Sequence, residues 1–214
     1  MNDLFAQQRI GERLQLGPRA VLLCGFALEC VEELLSEVAA VTAQSPFRRM
    51  VTPGGLPMSV ATTSCGALGW ISDQQGYRYI GIDPQTGRPW PVMPDVLARL
   101  ARNAAEGAGF ASFQPDSCLI NRYLPVARMS LHQDRNERDF DAPIVSVSLG
   151  MSATFLFGGH ERSDKPQKVS LMHGDVVVWG GEDRLRFHGV LPLSDNPHPQ
   201  LGSQRINLTL RKAA

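Results

Sequence analysis

A chain of 214 residues and 23.4 kDa accommodates one large domain at about 100–200 residues per domain. With 43% hydrophobic and 20% charged residues, 20 Gly and 15 Pro, it falls outside the collagen, coiled-coil and acidic-tail classes. Its 21 basic residues balance 21 acidic ones, which argues against indiscriminate nucleic-acid binding but leaves room for a local basic rim.

The N-terminus, Met1-Asn2-Asp3-Leu4-Phe5, lacks the basic stretch and apolar run of a leader, and no apolar run is long enough to cross a membrane. The expected location is the cytoplasm, with no membrane contact and no obligate protein partner. Cys24, Cys30, Cys65 and Cys118 show no Cys-x-x-Cys spacing and read as reduced core thiols. Two stretches have helical periodicity. Glu29 to Gln44 sets Val31, Leu34, Leu35, Val38 and Val41 on one face and Glu32, Glu33 and Glu37 on the other. Met93 to Ala108 opens on Pro94-Asp95 and carries Val96, Leu97, Leu100 and Ala104 on one face. Between them, residues 45–92 are rich in Gly, Pro, Ser and Thr and read as an irregular or hairpin region, the character of a lid. Arg48-Arg49 reads as a solvated pair.

From residue 117 the period changes to two. Strands are expected at 118–123, 144–149, 154–157, 169–172, 175–179, 187–191 and 205–211, with no helix among them, which points to a sandwich or double-sheet jelly roll. Trp179, after three valines, reads as core. The expected fold is α+β, one domain over 1–214. Helices and a lid occupy about 1–115, and a jelly-roll core about 116–214.

His132-Gln133-Asp134 carries the chemistry. Residues two apart in an extended segment point to one face, so His132 and Asp134 can converge on one ion. Of the other histidines, His160 and His173 sit beside Gly in apparent turns, and His198 lies between two prolines. His188, in strand context, is the best third ligand. Two His and one carboxylate form the facial set of non-haem Fe(II) oxygenases, which leaves adjacent positions open. At the C-terminus Arg205, Asn207, Thr209 and Arg211 share one face of a strand, with Ile206, Leu208 and Leu210 on the other. A solvated polar face would look the same. Two Arg forks at the ends of so short a face also suit a dicarboxylate, and with the metal face they imply 2-oxoglutarate. Only three of the basic residues are Lys; the Arg bias suits carboxylate and phosphate recognition, or reflects a GC-rich coding sequence.

The resemblance that these features bring out runs through nearly the whole chain. Ser45-Pro46-Phe47-Arg48, Met50 to Gly55, Gly69-Trp70, Ile120 to Tyr123, Leu131 to Asp134, Pro143 to Gly150, His173 to Gly181 and Arg205 to Thr209 together resemble the AlkB family of Fe(II)/2-oxoglutarate-dependent nucleic-acid repair dioxygenases. The resemblance implies a double-stranded β-helix core with N-terminal helices and a nucleotide-recognition lid. It also implies oxidative dealkylation of N-alkylated bases in single-stranded or duplex DNA, with RNA as a further substrate. His132, Asp134 and His188 would bind Fe(II). Arg205 and Arg211 would pair with the two ends of 2-oxoglutarate, helped by Asn121, Tyr123 and Asn207. Trp70, Tyr77, Tyr79 and Arg162 would lie on the substrate side; a Trp in a polar Gly-rich segment suits a stacking platform. One departure stands out: the family pattern has an acidic residue two positions after the metal Asp, where this chain has Asn136. A neutral Asn would favour cationic lesions less. Leu56-Pro57 in the lid also departs from the pattern. Rival readings are an Fe(II)/2-oxoglutarate hydroxylase or demethylase acting on a protein or small molecule, and a non-enzymatic cupin-like metal-binding module.

Overall fold

The structure, a computed structural model, describes residues 9–214; the leader reading rests on residues outside that range. In chain order, β1 (Arg13–Gly17) and β2 (Ala20–Leu23) precede helix α1 (Val31–Gln44). Strands β3 (Arg48–Val51), β4 (Pro57–Gly66), β5 (Gly69–Asp73) and β6 (Gly76–Ile80) lead to helix α2 (Asp95–Gly107). The remainder is β7 (Ser117–Tyr123), β8 (Met129–His132), β9 (Ile144–Gly150), β10 (Ala153–Phe157), β11 (Gln167–Leu171), β12 (Val176–Trp179), β13 (His188–Val190) and β14 (Arg205–Arg211).

These strands make a large antiparallel sheet of eight, ordered β1-β2-β12-β9-β14-β7-β4-β3, and a small one of four, ordered β11-β10-β13-β8. The hairpin β5-β6 stands apart as a pair. Both helices form where the periodicity places them. In α1 the apolar stripe Val31, Leu34, Val38 and Val41 is buried, Glu32 and Glu33 suit the positive helix N-terminus, and Pro46 blocks continuation. In α2, Val96, Leu97, Leu100, Ala101, Ala104 and Ala105 are buried. Both helices cover one face of the large sheet, in a core that includes Val145, Val147, Val176, Val178, Ile206, Leu208 and Leu210. A second core lies between the sheets and contains Leu22, Tyr123, Ile144, Phe155, Phe157, Leu171, Val177 and Trp179. The order is therefore helices, large sheet, small sheet. Among the described residues no helix is long and apolar enough to cross a membrane.

Two sequence expectations are corrected. Half of the large sheet, β1, β2, β3 and β4, comes from before residue 115, where only helices and a lid were expected. In residues 45–92 the expected hairpin is present as β5-β6, but β3 and β4 are not part of an irregular lid, because they join the large sheet through β7. The Ser and Thr of β4 look like loop residues, yet Thr62, Thr63 and Ser64 are buried, with the Thr63 hydroxyl donating to the Ser45 carbonyl at 2.7 Å. Nor is Arg48 solvated: it pairs with the fully buried Asp83 and lies 4.8 Å over the Trp90 ring. Of the four cysteines, all free thiols, Cys24, Cys65 and Cys118 are buried as expected, whereas Cys30 is half-buried.

Candidate active site

The small sheet brings the two histidines together. His132 ends β8 and His188 begins β13, and they stand directly opposite in the ladder with ring centroids 4.4 Å apart. Asp134 follows two residues after the end of β8. Its Oδ1 is 3.6 Å from His132 Nε2, and its Oδ2 is 3.8 Å from His188 Nε2. One donor atom from each of the three lies within 4.8 Å of the others.

Each imidazole is aimed by its own backbone. His132 Nδ1 donates to the Ser130 carbonyl at 2.9 Å, and His188 Nδ1 to the Arg186 carbonyl at 3.0 Å. A carbonyl only accepts, so Nδ1 carries the proton and Nε2 turns a lone pair inward, the tautomer a metal needs. Burial, and then His132, hold the His188 pKa down to about 4, against the pull of Asp134. For Asp134, burial alone would favour the acid. Arg211, His188, His132 and Arg184 overcome it and hold the carboxyl well below the usual range. At neutral pH a neutral His188 and an anionic Asp134 are ready to bind a cation without losing a proton. Trp179 is core, as expected, and its ring also meets His188 edge-on at 5.0 Å.

The polar face of β14 is not solvated: all seven residues of the strand are buried, because the small sheet covers that face. Register sets Arg205 opposite Tyr123, and Asn207 opposite Asn121, so these four point to the same side of the sheet. Arg205 is 1% exposed, yet no carboxylate among the described residues pairs with it. Its Nη2 donates to Ser148 Oγ at 2.9 Å, while Nε and Nη1 have no partner. The Tyr123 ring lies 5.1 Å from its guanidinium. Asn121 donates to Asn207 Oδ1 at 3.3 Å and leaves its own Oδ1 unpaired; Asn207 donates to Ser146 Oγ and the Val147 carbonyl. A buried guanidinium with free N–H groups and no counterion is costly alone and fits a carboxylate.

Arg211 differs from its expected twin. Its Nη2 and Nε both donate to Asp134 Oδ2, at 2.6 and 3.0 Å, and Nε lies 3.5 Å from Glu137. The two arginines of one strand face therefore have separate duties: one is occupied by a carboxylate and the other has none. Sequence reasoning missed Glu137 and Arg184. Both are buried, with Arg184 Nη2 3.1 Å from the Glu137 carboxylate. Each sits in a polar run that looks like solvated loop, and no local signal distinguishes them.

Of the substrate-side residues, Trp70 and Tyr77 stack at 5.6 Å and 13° on the β5-β6 hairpin, where Tyr79 pairs opposite Trp70. Trp70 Nε1 donates to Asn136 Oδ1 at 3.3 Å, and the Tyr79 hydroxyl to Glu137 at 2.5 Å. These two bonds latch the hairpin to the segment that follows Asp134. A cavity of about 230 Å³ opens there, lined by Tyr77, Tyr79, Asn136 and Arg138 among others. Arg162 sits on the exposed loop after β10, its guanidinium 5.9 Å from the Phe187 ring. The remaining histidines stay out of the site; His173 accepts from the Gly150 N–H at 2.9 Å and stacks on His198 at 4.2 Å.

Residues 20–211 match the model of the 2OG-Fe(II) oxygenase superfamily. The chain belongs to that superfamily. Within it, the chain is 56% identical over its full length to the alpha-ketoglutarate-dependent dioxygenase AlkB of Salmonella typhimurium, covering 99% of that protein. It is 54% identical to the same enzyme of Escherichia coli, over 100% of this chain and 98% of that one. The solved structure of OsALKBH1 superposes with a TM-score of 0.81 at 27% identity, covering 94% of this chain and 100% of that one. The protein is accordingly an AlkB-type dioxygenase that depends on Fe(II) and 2-oxoglutarate, on the jelly-roll fold that its motifs led one to expect. The non-enzymatic module reading is set aside.

Proposed function

We propose that this dioxygenase removes alkyl groups oxidatively from nucleic-acid bases, chiefly N-alkylated bases in single-stranded or duplex DNA, with RNA as a further substrate, in the cytoplasm. His132, Asp134 and His188 hold the metal on one face. Arg205 receives one carboxylate of 2-oxoglutarate, with Asn121, Tyr123 and Asn207 beside it. Arg211 keeps Asp134 anionic and offers Nη1, 3.5 Å from the Tyr79 hydroxyl, toward the other end. Held by these residues, Fe(II) with 2-oxoglutarate and O₂ would supply the oxidising chemistry that hydroxylates the N-alkyl carbon, with the alkyl group leaving as an aldehyde and succinate and CO₂ as co-products. The protein supplies position.

Such chemistry requires the base to leave its stack, and a damaged base costs less to extrude. The Trp70–Tyr77 stack offers an aromatic face, a contact worth about 1–3 kcal/mol per base. Arg162, exposed on the loop after β10, would meet a phosphate or base edge on the substrate side. The observation that carries the reading is Arg205: a buried cation with two unpartnered donors, on the large-sheet face that the sheet bearing His132 and His188 covers, supports its role as the partner of a carboxylate. The test is anaerobic loading with Fe(II) and 2-oxoglutarate, then air, with methylated single-stranded DNA. Formaldehyde and succinate should appear together, and His132→Ala and Arg205→Ala should each abolish both. Succinate without formaldehyde, or full turnover by either variant, would refute the proposal.

Asn136 refines the substrate class. Its Oδ1 accepts from Trp70, so its amide N–H groups remain to donate, and it brings no charge to the pocket. A carboxylate here would attract a cationic base by about 1 kcal/mol or more in a partly exposed site. We expect Asn136→Asp to raise the ratio of repair of cationic N-methyl bases to neutral etheno bases about fivefold or more. An unchanged ratio would show that position 136 does not read charge.

A further inference from the structure

Between Gln133 and Pro143 the chain has no helix or strand, although it carries Asp134, Asn136 and Glu137. Apart from side-chain ties, one main-chain hydrogen bond anchors its interior, from Arg138 N to the Ala213 carbonyl at 3.2 Å. The fixed point is Arg184, which follows the 3₁₀ turn Gly181–Asp183 and is 2% exposed. Its Nη1 donates to the Asp134 carbonyl at 2.7 Å, its Nε to the Ala142 carbonyl at 3.2 Å, and its Nη2 to Glu137 at 3.1 Å. The guanidinium also lies 5.5 Å over the Phe140 ring. From the other side, Gln133 Nε2 donates to the Leu185 carbonyl at 2.6 Å.

The contacts close a ring. Arg184 holds Glu137, Glu137 takes the Tyr79 hydroxyl and faces Arg211, Arg211 grips the Asp134 carboxylate, and the Asp134 backbone returns to Arg184. We propose that Arg184 is a positioning residue for the metal centre, clamping residues 134–142 so that the Asp134 carboxylate and the Arg211 fork face the two histidines. This rests on the reading of His132, Asp134 and His188 as the metal holders. Arg is the residue such a clamp needs, because a planar fork reaches three acceptors at fixed angles, whereas the Lys ammonium is a point donor. Partners behind metal ligands commonly set affinity within a 10–100-fold range.

The test is titration of the metal-free protein with Co(II), followed by its visible absorption, at a temperature well below the melting point of each variant. Arg184→Gln should weaken Co(II) binding about tenfold or more, and Arg184→Lys should fall between it and the wild type. A residue that merely stabilised the fold would lower the melting temperature and leave Co(II) affinity alone. Co(II) affinity of folded Arg184→Gln within twofold of wild type overturns the proposal. If Arg184→Gln does not fold, Arg184→Lys decides: severalfold weaker binding supports the clamp and unchanged binding overturns it. Failure of the wild type to bind Co(II) would instead remove the metal reading of the three ligands, and the clamp with it. His132→Ala, which should lose the absorption, separates site binding from adventitious binding.

Discussion

Arg205 is a cation buried without an anion, and a protein without its cosubstrate bears the cost of desolvating it. Replacing even a buried ion pair by apolar side chains of similar volume is often neutral or stabilising by about 1–4 kcal/mol, and Arg205 has no anion among the described residues to offset its desolvation. Arg205→Met should therefore leave the cosubstrate-free protein at least as stable as wild type, raising its melting temperature by up to about 10 °C. It should also abolish succinate formation. Calorimetry and turnover on one preparation check both halves; a variant that melts well below wild type would show that Arg205 serves the fold first. At this scale much of the site was legible. His132 and Asp134 share a two-residue spacing, and alternation put Arg205 and Arg211 on one face. What spacing does not carry is who pairs with whom: Arg211 is taken by Asp134, and Glu137 and Arg184 are buried partners that look like loop residues.

Among elements, the β8-β13 ladder decides the metal geometry, because it alone sets His132 against His188. Its closeness depends on Gly189. A Cβ there would stand 2.7 Å from the Met129 carbonyl oxygen, a backbone atom that cannot swing aside. Gly189→Ala should push β13 away from β8 and weaken Co(II) or Mn(II) binding about tenfold or more, with a folded circular-dichroism spectrum retained. Binding equal to wild type would show that the ladder tolerates the shift. The C-terminal strand was readable to its end residues, since seven residues alternate without interruption. The strands β1 to β4 were not. Ala20-Val21-Leu22-Leu23 is a buried apolar run of four, too short for any period to show. In β4, hydroxyl residues that suit a loop are buried inside the sheet instead, Thr63 donating to the Ser45 carbonyl while the Thr62 and Ser64 hydroxyls have no partner among the described residues.

The whole molecule is three layers with its candidate metal site where the small sheet meets the polar face of the large one. His132 and His188 come from the small sheet and Arg205 and Arg211 from the large, so a bound metal and cosubstrate would span the two. Ligands that bind only the native state stabilise by mass action, about 2.7 kcal/mol at a concentration of 100 Kd. Mn(II) at that level should raise the melting temperature by roughly 5–10 °C for a domain of this size, 2-oxoglutarate at that level should add a similar amount, and a chelator should reverse both. A rise from Mn(II) alone, with none added by 2-oxoglutarate, would show that the cosubstrate does not bind and overturn the reading of Arg205 as its partner.

By itself the sequence determined the donor types, the period of the strand that carries the two arginines and the helical stripes, because these are properties of residues two to four positions apart. Only the tertiary structure decided which arginine keeps a free fork, that the polar face of that strand is dry, and that half the large sheet begins before residue 115. Each of those depends on what a distant segment lays against the residue. Burial and charge pairing are long-range properties, and one-dimensional spacing holds no record of them.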